Sequence, residues 1–202
     1  MKALVLDRRG KDGLSVRNFP TPERPPGNAL IRVRAAALNH VDLYIRDAGK
    51  GITHPMPMVL GVDAAGEVVE ADADSGLTPG QRVLAFPSEF CGRCDYCLAG
   101  QQPYCRNISI IGEQRHGGFA EYLSMKAHNF VPIPDDLSWH EAAALPAVRP
   151  TADRMRGKPL TDRNIALHDP HMGRTSSSNA KRHVPAALLI PFVPLVDRPA
   201  FV

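Results

Sequence analysis

Apolar and polar positions alternate in short runs through the first two thirds of the chain. Ile31, Val33 and Ala35 alternate with Arg32 and Arg34, the period-two pattern of a strand with one buried face. Residues 2–7 and 14–17 read as two more short strands. Residues 59–69 are apolar but carry Gly61 and Gly66, which suits a bulged or bent strand pair better than a helix. Residues 82–86, 119–123 and 130–134 add three extended pieces, the first of them preceded by the turn TPGQ at 78–81. Many short strands with turn residues between them predict a mainly β fold with short helices, a barrel or sandwich.

One helix start is marked. Ser138 and Glu141 have the spacing of a capping box, and Ala142, Ala143, Ala144 and Leu145 follow as good helix formers, with Pro146 and Pro150 limiting how far the helix runs. From about residue 148 the character changes. The last 55 residues hold seven prolines and nine Lys or Arg but no glutamate, and their one strongly apolar run, 188–196, is broken by prolines that block both helix and central strand. The expected division is a domain at 1–147 and an atypical, poorly ordered tail at 148–202.

Composition narrows the partners. The chain is 44% hydrophobic and 22% charged, the balance of a globular protein, with a net charge of +3 and scattered basic residues. That argues against nucleic acid as a partner. The apolar run at the N-terminus is too short for a signal peptide, and none approaches the 18 or so apolar residues of a membrane helix. The expectation is a cytoplasmic protein that does not enter the membrane, in a compartment where thiols stay reduced.

All four cysteines lie in FCGRCDYCLAGQQPYCRN, residues 90–107: Cys91, Cys94, Cys97 and Cys105. The spacing C-x2-C-x2-C-x7-C brings four thiolates into one loop, as tetrahedral zinc requires with four sulfurs at about 2.3 Å and no open position. Closed coordination excludes substrate, so the reading is one structural zinc. Two disulfides are disfavoured by the compartment, and an iron–sulfur cluster by the spacing.

This lobe resembles that of the zinc-containing alcohol dehydrogenases in the medium-chain dehydrogenase/reductase superfamily. AAALNHVDL at 35–43, VLGVDAAGE at 59–67, PGQRV at 79–83, GEQRHGGFAEY at 112–122 and EAAALP at 141–146 fall in the family's order, and the likeness covers about residues 1–147. It implies a GroES-like β-barrel carrying the zinc lobe at 90–107, a domain normally followed by a nicotinamide-binding Rossmann domain.

The resemblance also implies where chemistry belongs. Zinc-using members hold a second, catalytic metal with a Cys at the position of Asn39 and a His-Glu pair at the positions of Val62 and Asp63. An amide is a poor zinc ligand and valine is none, so a catalytic zinc is not expected. The chain is closer in this respect to the quinone-oxidoreductase and zinc-independent reductase branches. Asn39, His40, Asp42 and Asp63 are the candidate catalytic residues. His40 is placed by resemblance near the cofactor pyrophosphate and Asp42 at the floor of the site. The alternative for this pair is a helix cap at Asp42 and a surface donor at His40. Tyr44 is a proton donor or a cleft wall, His116 and His128 are surface residues, and Arg115 faces either a cofactor phosphate or solvent.

No glycine-rich dinucleotide turn follows the capped helix, because Gly157 and Gly173 are isolated. The expectation is an alcohol-dehydrogenase-like oxidoreductase moving a hydride between NAD(P)H and a small alcohol, carbonyl, enone or quinone. It is expected to lack its Rossmann domain through truncation or frame shift, to be inactive alone, and to self-associate as a homo-oligomer. The alternative is a free-standing, non-enzymatic, zinc-stabilised binding or assembly module.

Overall fold

The computed structural model describes residues 1–47, 54–156 and 188–191. In chain order the strands are β1 (Lys2–Leu6), β2 (Leu14–Asn18), β3 (Asn28–Leu38), β4 (Met58–Val59), β5 (Asp63–Glu70), β6 (Arg82–Ala85), β7 (Ser88–Glu89), β8 (Ser109–Ile110), β9 (Tyr122–Lys126), β10 (Phe130–Pro132) and β11 (Leu188–Pro191). The helices are α1 (His40–Asp47), α2 (Asp95–Leu98), α3 (Trp139–Ala143) and α4 (Val148–Arg156). Every pairing between these strands is antiparallel. The fold is thus mainly β with short helices, and the described residues contain no parallel sheet.

β3 organises the larger sheet, whose order is β10-β6-β5-β3-β11, with β9 also paired to β3. Its first half alternates as the sequence pattern requires: Ile31 and Val33 are buried, and Arg32 and Arg34 are exposed. Past Val33 the alternation ends, and Ala35, Ala36 and Ala37 are all buried. The register with β5 shifts between Val33 and Ala35. There the β5 backbone at Gly66 comes so close to β3 that a Cβ would run into the Arg32 carbonyl. The bulge bends the sheet, and both faces of the alanine run become covered. Ala35 and Ala65 pack beneath Ala142 and Ala143 of α3, where small side chains let the helix lie close to the strands.

α3 starts where its capping residues place it. Ser138 Oγ accepts from the Glu141 N–H at 3.2 Å, and Glu141 Oε2 accepts from the Ser138 N–H at 3.0 Å. α4 then begins at Val148 with Pro150 in its first turn, where the missing N–H breaks no intrahelical bond.

The strand expected at 119–123 is displaced to Tyr122–Lys126. The Phe119 N–H donates to the Leu60 carbonyl and its own carbonyl accepts from Leu4, while Ala120 bridges Ala3. This segment therefore serves the smaller sheet, β2-β1-β4, before the chain enters the larger one. Most of the tail expected to be poorly ordered lies outside the described residues. Of its apolar run, β11 takes an edge position beside Ala35–Leu38 and ends at Pro191, where a missing donor is tolerated.

Candidate functional site

The cysteine lobe grows from β7 and β8. Cys91 follows β7, Cys94 precedes α2, Cys97 lies within it, and Cys105 ends a 3-10 turn at Gln102–Tyr104. Their four Sγ atoms lie within 4.8 Å of one another, with Cys91 and Cys97 at 4.0 Å. A tetrahedron with 2.3 Å arms has edges of about 3.8 Å, so the arrangement fits a zinc ion. Backbone N–H groups of Arg93 and Cys94 lower the Cys91 pKa to about 6. Desolvation and the neighbouring thiols Cys94 and Cys105 push Cys97 up to about 12. Four thiols this close cannot all ionise without a cation between them, and a divalent ion supplies that charge. Outside the sulfurs, Arg106 forks onto Asp95 at 2.8 and 2.9 Å and lies over the Tyr96 ring.

Glu89 pins the lobe to the barrel. It is 5% exposed, pairs with the Arg115 guanidinium, and accepts from the Lys126 N–H at 3.0 Å. Asn129 Nδ2 adds bonds to the carbonyls of Phe86 and Ser88. Arg115, considered above as a phosphate ligand or a solvated side chain, is instead held by this acid. A shallow depression beside the lobe, bordered by Glu89, Phe90, Cys91, Arg93 and Lys126, shares no residue with the acids described next.

The second cluster forms where β3 passes into α1. Asp42 lies in the first turn of α1 rather than before it. Its Oδ2 accepts from the Asn39 N–H at 2.8 Å, the reach-back half of a capping box, and its Oδ1 accepts from the Gly61 N–H at 3.2 Å. Gly61 has φ +101, and a Cβ there would lie 2.6 Å from the Phe119 ring. Asp63 opens β5; its Oδ2 accepts from Asn39 Nδ2 at 2.8 Å and its Oδ1 from the Ala147 N–H at 2.9 Å. Asp42 and Asp63 are 1% and 0% exposed. Burial raises Asp42 to about 6 against the N–H groups of Asn39, Gly61 and Val62. Burial also raises Asp63 to about 7; Asn39 and Ala147 oppose this, and the Asp42 charge adds to it.

The structure therefore brings Asn39, Asp42 and Asp63 together. His40 is exposed on α1, Tyr44 is 43% exposed, and Val62 is buried as an apolar residue. His128 is exposed; His116 is also exposed, but its Nδ1 accepts from the Val59 N–H at 3.2 Å and its ring packs edge-on to Phe19. Among the described residues, the cysteines are the one group of three or more metal-ligating side chains that converge. Glu89 and Ala147 were not anticipated. An acid between Pro87 and Phe90 is a weak signal for the first; the second acts through its backbone and leaves none.

Residues 25–135 match the alcohol dehydrogenase GroES-like domain. The chain belongs to that family, the zinc-containing alcohol dehydrogenases of the medium-chain dehydrogenase/reductase superfamily. An L-threonine 3-dehydrogenase of Chelativorans sp. (strain BNC1) is 42% identical over 142 residues, 68% of this chain and 40% of the relative. Another from Legionella pneumophila is 36% identical over 148 residues, 72% of this chain and 43% of the relative. A solved NAD-dependent alcohol dehydrogenase superimposes with TM-score 0.73 at 41% identity, over 77% of this chain and 46% of that one. A cobalt- and zinc-bound thermostable alcohol dehydrogenase from Pyrobaculum aerophilum gives 0.69 at 32% identity, covering 77% and 48%. The chain thus spans less than half the length of these relatives.

Proposed function

We propose that residues 1–147 form the substrate-side domain of an NAD(P)-dependent oxidoreductase acting on a small alcohol, carbonyl, enone or quinone. One zinc is held by Cys91, Cys94, Cys97 and Cys105, and none is held at the acids. The observation that carries this reading is the pairing of Asn39 with Asp63. Two of the three positions named for a catalytic metal in zinc-using members, Asn39 and Asp63, are occupied here by groups bonded to each other at 2.8 Å. Asp63 already accepts at both oxygens, and Val62 offers no donor atom. This favours the zinc-independent reductase and quinone-oxidoreductase branches over a metal alcohol dehydrogenase.

The nicotinamide supplies or takes up the hydride when bound. The residues of this chain bury, orient and exclude water: Asp42 and Asp63 fix the start of α1, and His40 stands on its exposed side as the cofactor-facing candidate. Hydride transfer needs nicotinamide and substrate held in attack geometry. Among the described residues no strand leads through a glycine-rich turn into a helix. The 202-residue chain assayed alone is therefore expected to give no turnover.

Fluorescence titration with NADH and NADPH, followed by turnover assays with an enal and a quinone, tests this. Saturable binding by the chain supports the oxidoreductase reading. NAD(P)H oxidation by the chain alone would overturn the expected inactivity, and a second zinc per chain would overturn the reading that no metal is held at the acids.

A further inference from the structure

Asn39 is held at one end of its amide. Nδ2 donates to Asp63 Oδ2 at 2.8 Å and lies 3.4 Å from the Ala37 carbonyl. Both neighbours are acceptors, so the NH2 group is the inward end and Oδ1 the outward one. Asn39 is half-buried and Asp63 wholly buried, so of the two bonded residues only Asn39 reaches the outside.

A carboxylate only accepts hydrogen bonds, whereas a carboxylic acid also carries one O–H donor. Asp63 Oδ1 is occupied by the Ala147 N–H at 2.9 Å, which directs any added proton to Oδ2, the oxygen facing Asn39. An Oδ2–H group opposite the Asn39 NH2 would set donor against donor. Turning the amide over relieves this, because Asn39 Oδ1 then accepts from Asp63 and Nδ2 points outward. The Ala37 contact is long and opposes the turn only weakly.

We propose that Asp63 is a positioning residue that sets which hydrogen-bonding group Asn39 offers to a substrate. With Asp63 ionised, Asn39 presents a carbonyl oxygen and selects the hydroxyl of an alcohol. With Asp63 protonated, it presents an N–H and selects a carbonyl oxygen. The substrate classes rest on the oxidoreductase reading above; the coupling between the two side chains does not.

The surroundings of Asp63 place both forms near neutrality. Across the sheet β3 opposes it with Ala37, β6 faces its neighbour Ala64 with Ala85, and α3 packs on β5 through Ala142 and Ala143. The charged group acting on it is Asp42 from α1, which disfavours a second negative charge. Its own pKa, raised to about 7 by burial, agrees with that setting.

The test is NMR on the zinc-loaded full chain between pH 5 and 9. The side-chain NH2 of Asn39 is assigned by its loss in Asn39→Asp, and the carboxyl carbon of Asp63 by its loss in Asp63→Asn. We expect the Asn39 resonances to titrate with the midpoint of Asp63 and to stop titrating in Asp63→Asn. Asn39 resonances that stay flat while Asp63 titrates, or that still titrate in Asp63→Asn, would overturn the proposal. If Asp63→Asn does not fold, Asp42→Asn decides. Removing the neighbouring charge should move both midpoints to lower pH together, and an Asp63 midpoint that moves while that of Asn39 does not would refute the coupling. No cofactor or substrate enters the measurement, so a chain that fails to bind NAD(P)H leaves it intact.

Discussion

The backbone N–H of Ala147 donates to Asp63 Oδ1 at 2.9 Å, joining positions 84 residues apart. Ala147 lies in the short link between α3 and α4, so a buried acid at the start of β5 anchors the chain as it leaves the barrel. The strength of that anchor depends on the charge of the acid.

Burial of Asp42 and Asp63 outweighs the hydrogen bonds to their carboxylates and sets the pH profile of stability. Asp42 and Asp63 hold protons to about 6 and about 7 in the fold, while an unfolded carboxyl ionises near 4. Between about pH 4 and 7 the folded chain binds more protons than the unfolded one, so stability is highest on the acid side of this window and falls as pH rises through it. For these two groups the loss is on the order of a few kcal/mol. Urea unfolding at pH 5 and pH 8 should show a smaller drop for Asp63→Asn than for the wild type; an equal drop would mean that Asp63 ionises like a surface acid.

Metal analysis should find one zinc per chain, and Cys97→Ser should lose it. Because the lobe has little apolar core of its own, hydrogen exchange should then quicken at residues 88–110 while β3 and β5 stay protected. A stoichiometry of zero or two, or an unchanged lobe in the variant, would contradict the single closed site.

Arg115→Ala leaves Glu89 buried without its cation and should cost about 1.5–3 kcal/mol, the range for hydrogen bonds to charged groups. Adding Glu89→Gln removes the stranded charge and should recover part of the loss. A double-mutant cycle by denaturant unfolding measures the coupling, and strictly additive losses would show that the pair is not coupled.

Gly61→Ala forces a side chain into φ +101, a strain of about 1–3 kcal/mol, and meets the Phe119 ring as well. Gly76→Ala suffers the same kind of strain at φ +75 but has open space around it. Thermal unfolding should therefore show the larger loss at Gly61. Equal losses would mean that Phe119 yields freely.

Much of the fold was legible because it is local. Arg32 and Arg34 between Ile31 and Val33 mark the two faces of β3, Ser138 and Glu141 place the start of α3, and Gly61 and Gly66 mark the bends near β5. The misplaced strand at 119–123 shows the limit of such reading. Phe119-Ala120-Glu121 alternates like a strand, but its hydrogen bonds go to β1 and to Leu60 until the Glu121 carbonyl accepts from Val33 of β3, and only the chain path reveals that.

The sequence by itself determined the alternation that buries one face of β3, the spacing that gathers four sulfurs, and the family to which the barrel belongs. Side-chain type and local spacing carry all three. The tertiary structure alone decided that Arg115 is held by Glu89, that Asp42 reaches back to Asn39, and that Asp63 meets Asn39 and Ala147. Those contacts depend on where distant segments pass one another, and Ala147 contributes only a backbone N–H that any residue except proline would supply.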